Sequence, residues 1–96
     1  MQFALICRDA PGALDRRIAV RAEHLAGVHR MKRIGRILDG GAILDRDGHM
    51  AGSVVLCDFP DRAALDAWLV TEPFVRENVW GEIEVLPFCH VDWANV

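Results

Sequence analysis

The stretch RILDGGAILDRDGHMAGSVVLCDF, residues 36–59, reads as two strands joined by a tight turn. Arg36 to Leu44 makes the first strand, Asp45-Arg46-Asp47-Gly48 the turn, and Gly52 to Phe59 the second, so the pair forms a hairpin. Gly40 and Gly41 lie inside the first strand, where glycine marks a bulge or a close approach of another backbone or a ligand. Val54, Val55 and Leu56 are apolar in succession. Successive strand residues face opposite ways, so both faces of that strand need cover.

Upstream of the hairpin, Phe3 to Cys7 is a short apolar strand ended by Asp9-Ala10-Pro11-Gly12. Leu14, Ile18, Ala22, Leu25 and Val28 then recur at helical spacing, with a stop near Gly35. Downstream, Asp61 caps a second helix whose apolar face is Ala64, Leu65, Trp68 and Leu69. Thr71-Glu72-Pro73-Phe74 closes it, because a residue before proline avoids the helical region. A last strand spans Glu82 to Val91, with Ile83, Val85 and Cys89 on one side and Pro87 marking an edge or bulge. The order βαββαβ predicts an α+β, ferredoxin-like sandwich: a four-stranded antiparallel sheet with both helices on one face. A second copy covering the other face would make a homodimeric α+β barrel.

The 96 residues fit one domain, residues 1–96, and 52% hydrophobic with 26% charged residues is an ordinary globular balance. A net charge of −3 argues against a nucleic-acid partner, which asks for a basic face. No apolar run is long enough to span a bilayer, so no membrane role is expected. Cys7, Cys57 and Cys89 are odd in number, contain no Cys-x-x-Cys pair and fall in predicted strands. They read as buried thiols of a reducing compartment, and the expected location is cytoplasmic.

On the first helix, Arg17, Arg21 and His24 follow one another at steps of four and three, which stacks them on one line. Half-buried guanidinium and imidazole groups need partners. Asp9, just past the first strand, supplies a carboxylate that would orient His24 and make it a working base. Arg17 and Arg21 would hold an anion and stabilise charge as it develops. Ser53 sits in the third strand without the Gly-x-Ser-x-Gly setting of a nucleophile, and His49 sits by the hairpin turn. No metal site is expected: His24 and His29 diverge by about 140° around a helix, and no His-Glu-x-x-His run occurs.

These residues, in this order, resemble the YCII-related family almost end to end. The resemblance is carried by Asp9, Arg17-x-x-x-Arg21-x-x-His24-Leu25, Gly35-Arg36-Ile37-Leu38, Gly41, Gly52-Ser53-Val54, Glu72-Pro73-Phe74-Val75 and Val85-x-Pro87-Phe88. It implies a small dimeric α+β-barrel enzyme with an Asp–His pair at its pocket and no bound cofactor. The family's best-defined chemistry is hydrogen chloride elimination from a chlorinated hydroxyhydroquinone. Four positions depart from the family pattern: Glu72 stands for aspartate, Ala42 for proline, and His49 and Asn78 for glycine.

The combined expectation is a cofactor-free enzyme for a small anionic, phenolic or quinoid molecule, catalysing elimination or isomerisation. His24 and Asp9 are the expected catalytic pair. Arg17, Arg21, Ser53, His49, Glu72 and Phe74 are the candidate substrate contacts. The alternatives are a non-catalytic small-ligand-binding module and a dimeric interaction protein.

Overall fold

A computed structural model describes residues 1–96. In chain order the elements are β1 (Gln2–Asp9), α1 (Leu14–Arg33), β2 (Ile37–Leu44), β3 (Met50–Asp58), α2 (Arg62–Leu69), the single turn α3 (Pro73–Arg76) and β4 (Trp80–Pro87). The strands form one antiparallel sheet in the order β2-β3-β1-β4, with the first strand central and the hairpin on one flank. This is the ferredoxin-like α+β arrangement expected from the element order.

Alternation along the strands sorts their side chains. Phe3, Leu5 and Cys7 of β1 and Val55 and Cys57 of β3 turn to the helices and are buried. Leu65, Phe74 and Val79 close the core from the helical side. On the opposite face, Ala4 pairs with Leu56 and Leu86, and Ile6 pairs with Val54, forming an apolar patch that the chain itself only partly covers.

The second helix begins as read from the sequence: the Asp61 side chain accepts the Ala64 backbone N–H at 2.8 Å. The Thr71-Glu72-Pro73-Phe74 stretch that closes it leads into α3. There Pro73 occupies the first turn, where its missing N–H costs nothing, and Glu72 is the cap.

Three expectations are corrected. On α1 the buried residues are Arg17 and His24, while Ile18 is 57% and Leu25 44% exposed. The buried face of α1 is therefore the polar line and not the apolar stripe, because the polar line finds enough buried partners to go inward. The last strand ends at Pro87 and not at Val91. Cys89 consequently lies beyond the sheet and is exposed, unlike the buried Cys7 and Cys57.

Candidate active site

α1 crosses the sheet with its polar line facing β1 and β3. Arg17 is 2% exposed, yet its guanidinium is well supplied with acceptors. Its Nε donates to Asp9 Oδ2 at 2.8 Å. Its Nη2 donates to Asp9 Oδ1 at 3.2 Å, the Gly52 carbonyl at 2.7 Å and Ser53 Oγ at 2.7 Å. The guanidinium carbon also lies 4.6 Å from the centre of the Phe74 ring, a cation–π contact. Gly52 is required here, because a Cβ would stand 2.4 Å from the Cys7 carbonyl oxygen across the sheet.

His24, two turns further along the same face of α1, pairs through Nδ1 with Glu72 Oε1. The same oxygen accepts the Phe74 backbone N–H at 3.2 Å, which locks the carboxylate at the start of α3. The imidazole stacks on the Phe74 ring, centroids 3.9 Å apart and planes 12° from parallel, and meets the edge of Trp80. A carboxylate has no proton to give, so Nδ1 carries the hydrogen. The neutral imidazole then has a bare Nε2, the atom a base needs.

Ser53 is decided by counting. Its Oγ accepts from Arg17 Nη2 and, at 3.1 Å, from Trp80 Nε1. Both lone pairs are taken, so the hydroxyl proton is left to donate. Arg17 Nη1 makes none of the guanidinium's bonds, and no buried side-chain nitrogen or oxygen lacks a partner, so Nη1 is reachable.

These groups open onto a cavity of about 200 Å³ between α1, β2 and β3. Arg17, Arg21, His24 and Ser53 line it at the polar end, and Leu25, Val28 and Val55 are among its apolar walls. It therefore offers donors from Arg17 and Ser53 beside an acceptor on His24. That combination suits removal of a proton from a molecule on which negative charge grows at an adjacent oxygen.

The expected contact between Asp9 and His24 is not made. Asp9 neutralises Arg17, which lies two helical turns nearer β1, and Glu72 takes the place beside the imidazole. Glu72 is thus a partner of His24 and not part of the cavity wall. Phe74 is fully buried and contributes as the plate on which His24 stacks, with no surface for a ligand. His49 is exposed in the hairpin turn and does not line the cavity. Its backbone N–H bonds to Asp45 Oδ1 at 3.0 Å, which explains why Asp45, Asp47 and His49 cluster there. Arg21 is exposed at the cavity mouth.

Trp80 joins the site without a signal in the sequence. It starts β4 opposite Asp9 beyond a register shift, and no spacing pattern connects it with Ser53, 27 residues away. Cys7 lies buried nearby, its thiol pushed up to about 12 mainly by desolvation and next by the Glu72 charge. That is the opposite of an activated nucleophile.

Comparison with known proteins places this geometry in context. The profile of the YCII-related domain matches residues 1–89. An uncharacterised protein of Haemophilus influenzae is 32% identical over 94 residues, spanning 92% of this chain and 96% of that protein. Protein YciI of Escherichia coli is 29% identical over the same shares of the two chains. Among solved structures, 5-chloro-2-hydroxyhydroquinone dehydrochlorinase (TftG) from Burkholderia phenoliruptrix, in complex with 2,5-dihydroxybenzoquinone, matches with a TM-score of 0.83 and 26% identity. The match covers 95% of this chain and 96% of that one.

Proposed function

The chain belongs to the YCII-related family, and from that premise we propose that it is a small-molecule enzyme whose base is His24, working on a phenolic or quinoid anion. The observation that carries this reading is the pairing of His24 Nδ1 with Glu72, which leaves Nε2 as the basic atom at the cavity. Glu72 stabilises the imidazolium that forms once Nε2 takes a proton, and Phe74 keeps the ring in place. Arg17 Nη1 and the Ser53 hydroxyl meet the oxygen on which charge builds.

Such a site fits elimination of hydrogen chloride from a chlorinated hydroxyhydroquinone. His24 takes a hydroxyl proton and returns it to the ring carbon bearing chlorine. Chloride then leaves with its bonding electron pair while a second hydroxyl proton departs. The net loss is H⁺ and Cl⁻, a quinone remains, and no external oxidant is consumed. The dehydrochlorinase with its bound dihydroxybenzoquinone supports the substrate class, and the donor–acceptor arrangement supports the reaction class.

We also read the open sheet face as the seat of a second copy, because Ala4, Ile6, Val54, Leu56 and Leu86 form a continuous apolar patch there.

The test of the binding step is titration with 2,5-dihydroxybenzoquinone, followed by NMR. Saturable shifts at the Ser53 amide and the Trp80 indole N–H are expected. Shifts confined to the hairpin turn or the open sheet face would contradict the proposed seat.

A further inference from the structure

The cavity is longer than the chemistry at its polar end requires. Its α1 wall runs from Arg17 past His24 to Lys32, and its β2 wall from Ala42 to Ile37. Eight residues separate His24 from Lys32, which at the helical rise places their Cα atoms about 12 Å apart. Five residues separate Ile37 from Ala42, and extended strand covers about 16 Å over that interval. A single six-membered ring resting against His24 and Ser53 leaves the far half of such a groove empty.

The far half has a definite character. Leu25, Val28, Ile37 and Val55 make it apolar. On the strand side Gly40 and Gly41 carry no side chain, so nothing fills the channel from β2 there, while Ala42 lies across from Ser53 at the head. At its end stands Lys32, the chain's only lysine. Its Nζ gives one hydrogen bond, to the Leu38 carbonyl at 2.6 Å, and keeps two N–H donors. The neighbouring Asp39 carboxylate accepts the Gly40 amide at 2.9 Å. The groove therefore has Arg17 at its head, an apolar floor, and at its far end Lys32, which forms no ion pair with Asp39 although both line the cavity.

We infer that the substrate is a two-part anion: a phenol- or quinone-type ring at Arg17, His24 and Ser53, joined through an apolar arm to a carboxylate held by Lys32. The head end rests on the acid–base reading above. The tail end rests on the length of the groove and on Lys32 at its close. A one-ring quinone would bind only the head and leave Leu25 and Val28 facing water. The extended acid covers them and adds a charge-assisted hydrogen bond.

The probes are a series of ω-(4-hydroxyphenyl)alkanoates, from the acetate to the pentanoate, with 2,5-dihydroxybenzoquinone as a head-only control. Affinity is measured by calorimetry on the full chain and on Lys32→Met, an exposed helical position where the change keeps the apolar stem. Affinity should rise at least about tenfold from the shortest acid to the one whose carboxylate reaches Lys32, the gain coming from the charge-assisted hydrogen bond made there. Lys32→Met should abolish that rise and leave binding of the control unchanged. A flat series, no binding by any acid, or equal weakening of control and acids by Lys32→Met would overturn the inference. Failure of the acid–base reading looks different: turnover would survive in His24→Gln, whatever the acids do.

Discussion

One oxygen of Glu72, Oε1, receives both the His24 imidazole and the backbone N–H of Phe74. The carboxylate that would stabilise the imidazolium is therefore also the cap of α3, and helix geometry fixes where the base sits. Glu72→Gln separates the two duties. The amide oxygen can still accept both hydrogen bonds, so the fold should persist, but the negative charge is gone. Turnover should fall by about 10²–10⁴, the range general-base catalysis supplies, with little change in melting temperature. Unchanged turnover would remove Glu72 from the mechanism.

Arg17 and Arg21 should behave differently, although the sequence sets them on one line. Arg17 is buried against Asp9 and Arg21 is exposed. Arg17→Ala strands a buried carboxylate and should cost about 3–5 kcal/mol of stability, a large part of what a small domain has. Arg21→Ala should leave the unfolding free energy within about 0.5 kcal/mol of the parent. Equal effects in urea melts would contradict the buried pairing.

The architecture was legible because its signals are local and repeated: turn residues in the hairpin, Asp61 as a cap, and helical spacing on either side. The site was legible as a set of residues but not as a set of pairs. Asp9 lies nearer His24 in sequence than Glu72 does, and nothing in the spacing says that the chain folds Glu72 back 48 residues to meet it. The facing of α1 failed for a related reason. Hydrophobic periodicity assumes apolar residues go inward, and here Asp9, Ser53, Gly52 and Glu72 satisfy a polar line well enough to bury it. Trp80 gave no signal, since its role depends on strand register across the sheet.

Two adjacent glycines in β2 should differ sharply. A Cβ at Gly40 would stand 2.5 Å from the Val54 carbonyl oxygen, whereas one at Gly41 meets nothing within 4 Å. Gly40→Ala should destabilise the chain by about 1–3 kcal/mol through displaced backbone. Gly41→Ala should be close to neutral in the same thermal melt. Both variants melting alike would show that the β2–β3 approach is looser than described.

Alkaline stability should report the buried thiols. Burial raises Cys7 from 9.0 to about 12 and Cys57 from 9.0 to about 11. Between pH 9 and 11 the unfolded chain loses those protons and the folded chain keeps them. Stability contributed by the neutral thiols is present below pH 9 and declines as pH rises through that window. Each thiol adds up to about 1.4 kcal/mol per pH unit to the slope. With no tyrosine and one lysine, few other groups titrate there. The double variant Cys7→Ala/Cys57→Ala should flatten the decline measured by urea unfolding at each pH. An unchanged slope would mean that the thiols ionise in the folded chain.

The open sheet face gives an assembly prediction. Light scattering at micromolar concentration should give twice the chain mass, and Leu56→Arg, placing a charge in the patch, should give the monomer. A monomeric parent chain would end the proposal of a second copy.

His24 Nε2 acting as a base on a quinoid anion is the step on which the proposed activity depends. Chloride release from 5-chloro-2-hydroxyhydroquinone should be followed with the parent chain and His24→Gln, alongside binding of 2,5-dihydroxybenzoquinone to both. The account predicts saturable chloride release by the parent chain and a loss of about 10²–10⁴ in His24→Gln, with binding retained. Chloride release that survives the substitution, or none above the uncatalysed rate with the parent chain, would contradict it.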